Sequence, residues 1–221
     1  MKVLMEKYSN RRQAGKVLAS HLEKFKDSNS IILGLPRGGI PVAFEVAKAL
    51  RLPMDVFIVR KLGVPGYEEL AMGAIASGGI FFINQDLVKS LNISSSDIEH
   101  VIEEEMRELK RREKVYRGDR PLPGLKNKTV ILIDDGIATG ASMKAAMEAI
   151  KTQQPASLVI AIPVADPSIC KEFADLVDEV ICPLQPYRFQ AVGLWYEDFT
   201  QTSDDEVINL YNLSLQFCKK T

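Results

Sequence analysis

The stretch Val130-Ile131-Leu132-Ile133-Asp134-Asp135-Gly136-Ile137-Ala138-Thr139, followed by Gly140-Ala141-Ser142, gathers two adjacent carboxylates, two glycines and two hydroxyls. Carboxylates repel phosphate but accept hydrogen bonds well, so the Asp pair suits the vicinal hydroxyls of a ribose, with Mg²⁺ nearby. Gly136 and Gly140 let the backbone approach an anion closely, and Thr139 and Ser142 add hydroxyl donors, which suits a phosphate group. Together the two halves fit a ribose 5-phosphate. Read alone, an Asp-Asp pair serves equally to cap a helix or shape a turn. Its setting, after an apolar β-branched strand and before a helix starting near Lys144, favours a ligand-binding loop at the carboxyl end of a parallel strand.

A second candidate is Gly34-Leu35-Pro36-Arg37-Gly38-Gly39, which interrupts an apolar run before another helix. Its glycines expose backbone N–H groups and Arg37 offers a planar fork to phosphate oxygens. An ordinary turn with a surface arginine reads the same segment as well.

Residues 130 to 143 resemble the phosphoribosyl pyrophosphate (PRPP) signature of the type I phosphoribosyltransferases, where two acidic residues precede a short Thr-Gly phosphate loop. The resemblance covers the chain well from about residue 30 to 183. It implies that Asp134 and Asp135 hold the ribose hydroxyls and that Gly136, Ile137, Ala138, Thr139, Gly140, Ala141 and Ser142 form the 5-phosphate loop. It also implies that Pro36, Arg37, Gly38 and Gly39 form the pyrophosphate loop, with a cis peptide expected between Pro36 and Arg37. Arg60 and Lys61 begin a glycine-containing segment, Arg60-Lys61-Leu62-Gly63-Val64-Pro65-Gly66-Tyr67-Glu68-Glu69, whose composition suits a mobile lid that neutralises the departing pyrophosphate. It resembles the flexible catalytic loop of adenine phosphoribosyltransferases, and Glu69 matches an acidic residue there. A basic strand end with a solvated loop is the plainer alternative.

The aromatic string Phe189 to Phe199 resembles the purine-binding tail of hypoxanthine-guanine phosphoribosyltransferases. By that analogy Phe189 stacks on a base, Val192 lines the same wall and Asp198 helps to hold Mg²⁺. Packing of a small lobe is the alternative for most of these residues. Ala138 stands where the hypoxanthine-guanine branch carries an acid, so the loop is closer to the adenine branch and the tail to the other. The acceptor is therefore left open. The implied activity is Mg²⁺-dependent transfer of a phosphoribosyl group from PRPP to a nitrogenous acceptor with release of pyrophosphate. Other readings are a sensor of PRPP or a nucleotide on the same fold, without turnover, and an unrelated doubly wound protein using Asp134 or Asp135 as phospho-acceptor.

The elements that must position these residues alternate as an open α/β sheet requires. Strands are expected at Ser30 to Gly34, Met54 to Arg60, Thr129 to Ile133, Ser157 to Pro163 and Glu179 to Cys182, with a hairpin at Ala74 to Ile83 turning at Gly78-Gly79. Ser9, Ser96 with Glu99, Asp166-Pro167 and Ser203 with Glu206 read as helix starts. The charged helix after Ser96 reads as a solvated face carrying Glu103/Arg107 and Glu108/Arg112 pairs. The expected organisation is one phosphoribosyltransferase-like domain over 1–221, an open, mainly parallel sheet flanked by helices. A hood would come from about 184–203 with N-terminal elements, and a terminal helix from about 204–218.

A net charge of -1 gives no global field for nucleic acid or an anionic membrane. No apolar run reaches the roughly 18 residues of a membrane span, and the amino terminus lacks a signal-peptide core. A cytoplasmic protein with small-molecule partners is expected, with a homodimer allowed. Cys170, Cys182 and Cys218 have no metal-ligand spacing and read as reduced packing residues, and His21 and His100 as helix-surface residues.

Overall fold

The computed structural model describes residues 7–217, so Cys218 lies outside the described residues. Five strands, β1 (Ser30–Gly34), β2 (Met54–Val56), β6 (Thr129–Ile133), β7 (Ser157–Ala161) and β8 (Glu179–Ile181), form a parallel sheet in the order β2-β1-β6-β7-β8. Their β-branched sequences follow from burial on both faces. Ile32, Ile131 and Val159 face one core, with helices α2 (Gly39–Leu50) and α7 (Asp204–Ser214). Ile31, Leu33, Val130 and Leu132 face the other, with α5 (Ala141–Lys151) and Phe173 of α6 (Pro167–Ala174). The expected mainly parallel α/β architecture is present.

The chain runs from β1 to β2 on one side, while β6 pairs with the other side of β1. The crevice between the carboxyl ends of β1 and β6 is thus the switch point at which open α/β sheets bind ligands. Register reinforces it. Gly34, Ile133 and Ala161 are aligned across the sheet, so the segments after them emerge side by side.

One strand expectation is corrected, and one segment expected as a loop takes strand form. The strand expected from Met54 to Arg60 breaks, because β2 ends at Val56 and β3 (Val59–Val64) joins a separate antiparallel sheet with β4 (Tyr67–Ala76) and β5 (Ile80–Ile83). Buried Ser77 causes the break. Its Oγ accepts the Ile58 N–H at 2.9 Å and its own N–H donates to Ile58 O at 2.9 Å, drawing the backbone out of the parallel sheet. The segment expected as a glycine-rich lid is a β3–β4 hairpin, turned at Pro65-Gly66 with Gly66 at φ 78°. The hairpin expected at Gly78-Gly79 forms between β4 and β5.

Helix starts differ locally. Asn10, not Ser9, caps α1 (Arg11–His21), because Ser9 O accepts the Asp198 N–H as the chain pairs with the 195–198 segment. Ser94, not Ser96, caps α4 (Ser95–Arg117) by accepting the Asp97 N–H at 3.1 Å. A short α3 (Gln85–Ser90), capped by Asn84, was not expected. Asp166-Pro167 and Ser203 start α6 and α7 as expected. Of the two pairs expected on α4, Glu108/Arg112 forms, whereas Glu103/Arg107 is not among the ion pairs of the described residues.

The antiparallel sheet is tied to the parallel one through a buried charge cluster. Arg117, at the end of α4, lies 3.5 Å from Asp55 of β2 and also bonds Glu113, whose carboxylate accepts the Gly78 N–H at 3.0 Å. Arg117 and Asp55 are only 3% and 2% exposed. Burial pushes the Asp55 carboxyl up to about 6 against the attraction of Arg117. Arg117→Met should therefore lose about 3–5 kcal/mol in denaturant unfolding by stranding Asp55. Arg117→Met with Asp55→Asn should recover much of that loss, whereas strict additivity would show that the two groups do not depend on each other.

Candidate functional site

Asp134 and Asp135 leave the end of β6 at the switch point. The Asp134 carboxylate accepts the Asp135 N–H at 2.8 Å, folding it back over the strand end. Asp135 accepts Arg11 Nε at 2.7 Å, the two side chains being 14% and 11% exposed. Arg11 is fixed on two further sides, donating from Nη1 to Thr200 O at 2.7 Å and lying 3.9 Å from the centroid of the Phe199 ring. The Tyr196 hydroxyl donates to Asp135 O at 2.5 Å, and burial together with the Asp135 charge keeps that phenol protonated.

Burial raises the pKa of both carboxyls, and the Asp135 charge raises Asp134 further. Arg11 acts in the opposite direction, chiefly on Asp135 through its hydrogen bond. The site thus holds two acceptors whose joint ionisation is opposed by their surroundings. Hydroxyl donors or a cation would stabilise the ionised pair.

The glycine loop after β1 packs directly on this pair. A Cβ at Gly38 would sit 2.1 Å from Asp135 Oδ2, and one at Gly39 would sit 2.8 Å from Ile133 O and 2.9 Å from Asp134 Cα. Only glycine permits that approach. The Pro36–Arg37 peptide is cis, at the position expected. Arg37 itself reaches toward α7, with Nη1 3.7 Å from Asp204.

The loop after Asp135 is held from below. Ile137 N donates to Val164 O at 3.1 Å, and Gly136 lies so close to Val192 that a Cβ would approach its Cγ1 to 2.6 Å. Gly140 takes φ +75° at the start of α5. Thr139 and Ser142 are exposed, as donors for a ligand must be.

Helix caps separate these two loops from the rest of the fold. α1, α3, α4, α6 and α7 each start with a side chain accepting a backbone N–H. α2 and α5 start at Gly38 and Gly140 with no side-chain cap. At α5 the first-turn N–H groups and positive dipole end are available to an anion, whereas at α2 the Gly39 and Ile40 N–H groups donate to Leu35 O at 3.0 Å and Arg37 O at 3.2 Å and Pro41 has none.

Of the hairpin cations, Arg60 pairs with Glu105 of α4, and Lys61 is exposed. Both line an open cleft of about 670 Å³ with Ser142, His100 and Glu104. The hairpin cations and the α5 loop therefore share one space. Glu69 lies within β4 and its side chain is outside the described residues.

Phe189 and Val192 are half-buried and pack against Tyr8, Val164 and Tyr196 beneath the loop. Asp198 is exposed and accepts both the Thr200 N–H at 2.9 Å and its hydroxyl at 2.6 Å, contacts that hold its pKa below the usual range. No cluster of three or more His, Cys, Asp or Glu suited to a metal occurs among the described residues.

Arg11, the direct partner of Asp135, was not found by sequence reasoning. A signal was present: Arg11 and Arg12 open α1 with no acid in the first turn, against the helix dipole. Such a placement needs a local anion, here Asp135 for Arg11 and Glu45 for Arg12.

A family model for the phosphoribosyl transferase domain matches residues 8–193. Two Mycobacterium tuberculosis proteins, from strains CDC 1551 and H37Rv, carry provisional phosphoribosyl transferase names and are each 43% identical over 204 residues. The match covers 92% of this chain and 46% of theirs, so the chain spans about half the length of the curated relatives it matches. The crystal structure of TT1426 from Thermus thermophilus is 36% identical with a TM-score of 0.84, covering 93% of this chain and 97% of that one. No helix of the described residues is long and apolar enough to cross a membrane.

The electrostatics of the Asp pair give opposite signs for two substitutions. The raised Asp134 pKa means that the native state prefers the neutral carboxyl. Its contribution to stability is full below the unfolded value, about 3.9, and is lost as pH rises through the folded value. Asp134→Asn keeps the acceptor for the Asp135 N–H and should raise the unfolding midpoint at neutral pH, with the gain shrinking as pH falls toward 4. Arg11→Gln removes the counter-charge of Asp135 and should cost about 3 kcal/mol at neutral pH. Thermal and urea unfolding across pH measure both, and a destabilised Asp134→Asn at neutral pH would contradict the account.

Proposed function

The chain belongs to the phosphoribosyl transferase domain family, and from that premise we propose that it transfers a phosphoribosyl group from PRPP to a nitrogenous acceptor with release of pyrophosphate. The observation that carries the reading is the pairing of the open α5 start with the Arg37-Gly38-Gly39 loop, on either side of one buried Asp pair at the sheet's switch point. PRPP has phosphate at both ends and a diol between them. That is the order in which the α5 loop, the Asp pair and the 36–39 loop offer donors, acceptors and donors.

In this reading Asp134 and Asp135 accept hydrogen bonds from the ribose hydroxyls, while Arg11 and the Asp135 N–H hold the carboxylates and Tyr196 holds the Asp135 backbone carbonyl. Thr139, Ser142 and the N–H groups at the start of α5 take the 5-phosphate. The 36–39 loop and Arg37 take the diphosphate. Arg60 and Lys61, from the hairpin above Ser142, add positive charge where the leaving group becomes more negative. For Arg60 this requires exchanging Glu105 for a phosphate oxygen.

Residues for Mg²⁺ are also present. The ion is commonly held by one or two carboxylates together with substrate phosphates and waters, and Asp134 and Asp135 are adjacent carboxyls whose ionisation a cation would favour. Bound there, Mg²⁺ would supply neutralising charge for the diphosphate. Asp198 is a weaker candidate because Thr200 already occupies one of its oxygens.

Ala138 supplies no acid or base within the phosphate loop, so catalysis in this reading rests on positioning and charge neutralisation. A panel of purines, pyrimidines and related amides, incubated with PRPP and Mg²⁺, should contain an acceptor that yields stoichiometric pyrophosphate. Asp134→Asn with Asp135→Asn should weaken PRPP binding in calorimetry by on the order of tenfold or more while leaving the circular dichroism unchanged. Unaltered PRPP affinity in that folded variant would sink the assignment.

A further inference from the structure

Beside the 36–39 loop is a second pocket, of about 360 Å³, lined by Arg37, Arg111, Arg112 and Tyr116 with Pro36 and Asp204. Gly38 and Gly39 face the Asp pair, but the Arg37 side chain belongs to this pocket. Arg111 and Arg112 come from α4, the charged helix whose spacing reads as a solvated face.

Both α4 arginines are organised by one carboxylate. Glu108 accepts Arg111 Nε at 2.7 Å and Arg111 Nη2 at 2.9 Å, and also accepts Arg112 Nε at 2.7 Å. Those bonds pull the Glu108 carboxyl down to about 2, so it stays ionised throughout the neutral range. They use only part of each guanidinium. Arg111 Nη1 and both terminal nitrogens of Arg112 make no hydrogen bond among the described residues, and the Arg37 contact to Asp204, at 3.7 Å, is an ion pair too long for one. Asp204 is in turn engaged by the Tyr116 hydroxyl at 2.6 Å.

Three guanidinium groups with open donors thus border one pocket, against two carboxylates that already have partners. Guanidinium forks match phosphoryl oxygens in geometry and charge. We propose that Arg37, Arg111 and Arg112 form a phosphoryl-binding pocket adjoining the pyrophosphate loop, with α4 contributing the half that lies outside the two glycine loops. Its ligand is a phosphate or diphosphate group, supplied either by the outer phosphate of PRPP or by a separate inorganic phosphate. The proposal deepens the phosphoribosyl-transfer reading and rests on it only for the identity of the donor.

The test is calorimetry of the full chain with inorganic pyrophosphate, inorganic phosphate and ribose 5-phosphate. Arg111→Gln with Arg112→Gln should weaken pyrophosphate binding at least tenfold and leave ribose 5-phosphate unchanged. Arg112→Lys, which keeps the charge without the fork, should fall between the double variant and the parent. Both arginines are solvent-facing with Glu108 as their hydrogen-bonding partner, and circular dichroism checks that the helix is retained.

Phosphate titrated into the PRPP-saturated protein separates the two sources. Stoichiometric binding identifies a separate phosphate, and its absence identifies the diphosphate of PRPP; either supports the pocket. Unchanged pyrophosphate and phosphate affinities in the folded double variant would overturn it. Failure of the donor reading would appear differently, as unchanged ribose 5-phosphate affinity in Asp134→Asn with Asp135→Asn.

Discussion

Two neighbouring carboxylates at the end of a buried strand are the constraint around which this structure is organised. Their desolvation and mutual repulsion oppose ionisation, and a single guanidinium, Arg11, counters that on one of them. Arg11 is held in turn by Thr200 O and the face of Phe199, so helix α1 and the 196–200 segment both serve the end of β6. Asp134 has no such clamp. Its carboxylate accepts the Asp135 N–H and lies against the glycine loop after β1, so it is the acid left with acceptor capacity for a ligand.

The uncapped start of α2 follows from the same arrangement, and that of α5 from close packing on Phe173. A side-chain cap at Gly38 or Gly140 would need a Cβ, which at Gly38 collides with Asp135 and at Gly140 approaches Phe173 to 2.9 Å at a positive φ. Close packing therefore places glycine on both sides of the Asp pair and leaves the α5 N-terminus open to an anion beside two hydrogen-bond acceptors. In the proposed reading that combination binds a molecule with phosphates flanking a diol. The antiparallel sheet adds the cations, and the buried Asp55–Arg117–Glu113 cluster fixes that sheet to the parallel one.

Much of this was legible in the sequence, for local reasons. β1, β6 and β7 are apolar β-branched runs, Asp166-Pro167 and Ser203 are self-sufficient helix starts, and the glycine loops lie between a strand and a helix. Elsewhere, contacts distant in sequence decide between local alternatives. Ser9 and Asn10 are both good caps until the 195–198 segment takes the Ser9 carbonyl. Met54 to Arg60 reads as one strand until Ser77, nineteen residues further on, captures Ile58. Arg11 and Asp135 are 124 residues apart, and nothing in either neighbourhood names the other. Arg111 and Arg112 look like any solvated pair on a charged helix because the pocket they border is completed by Arg37 and Asp204.

The central claim is that Asp134 and Asp135 recognise a diol beside a phosphate. The most direct measurement is the affinity of the protein for ribose 5-phosphate compared with its 2,3-dideoxy analogue, which keeps the phosphate and loses both hydroxyls. The account predicts that the analogue binds at least about tenfold more weakly, because two buried acceptors lose their donors. Equal affinities would contradict it, leaving the Asp pair without a part in recognising the sugar.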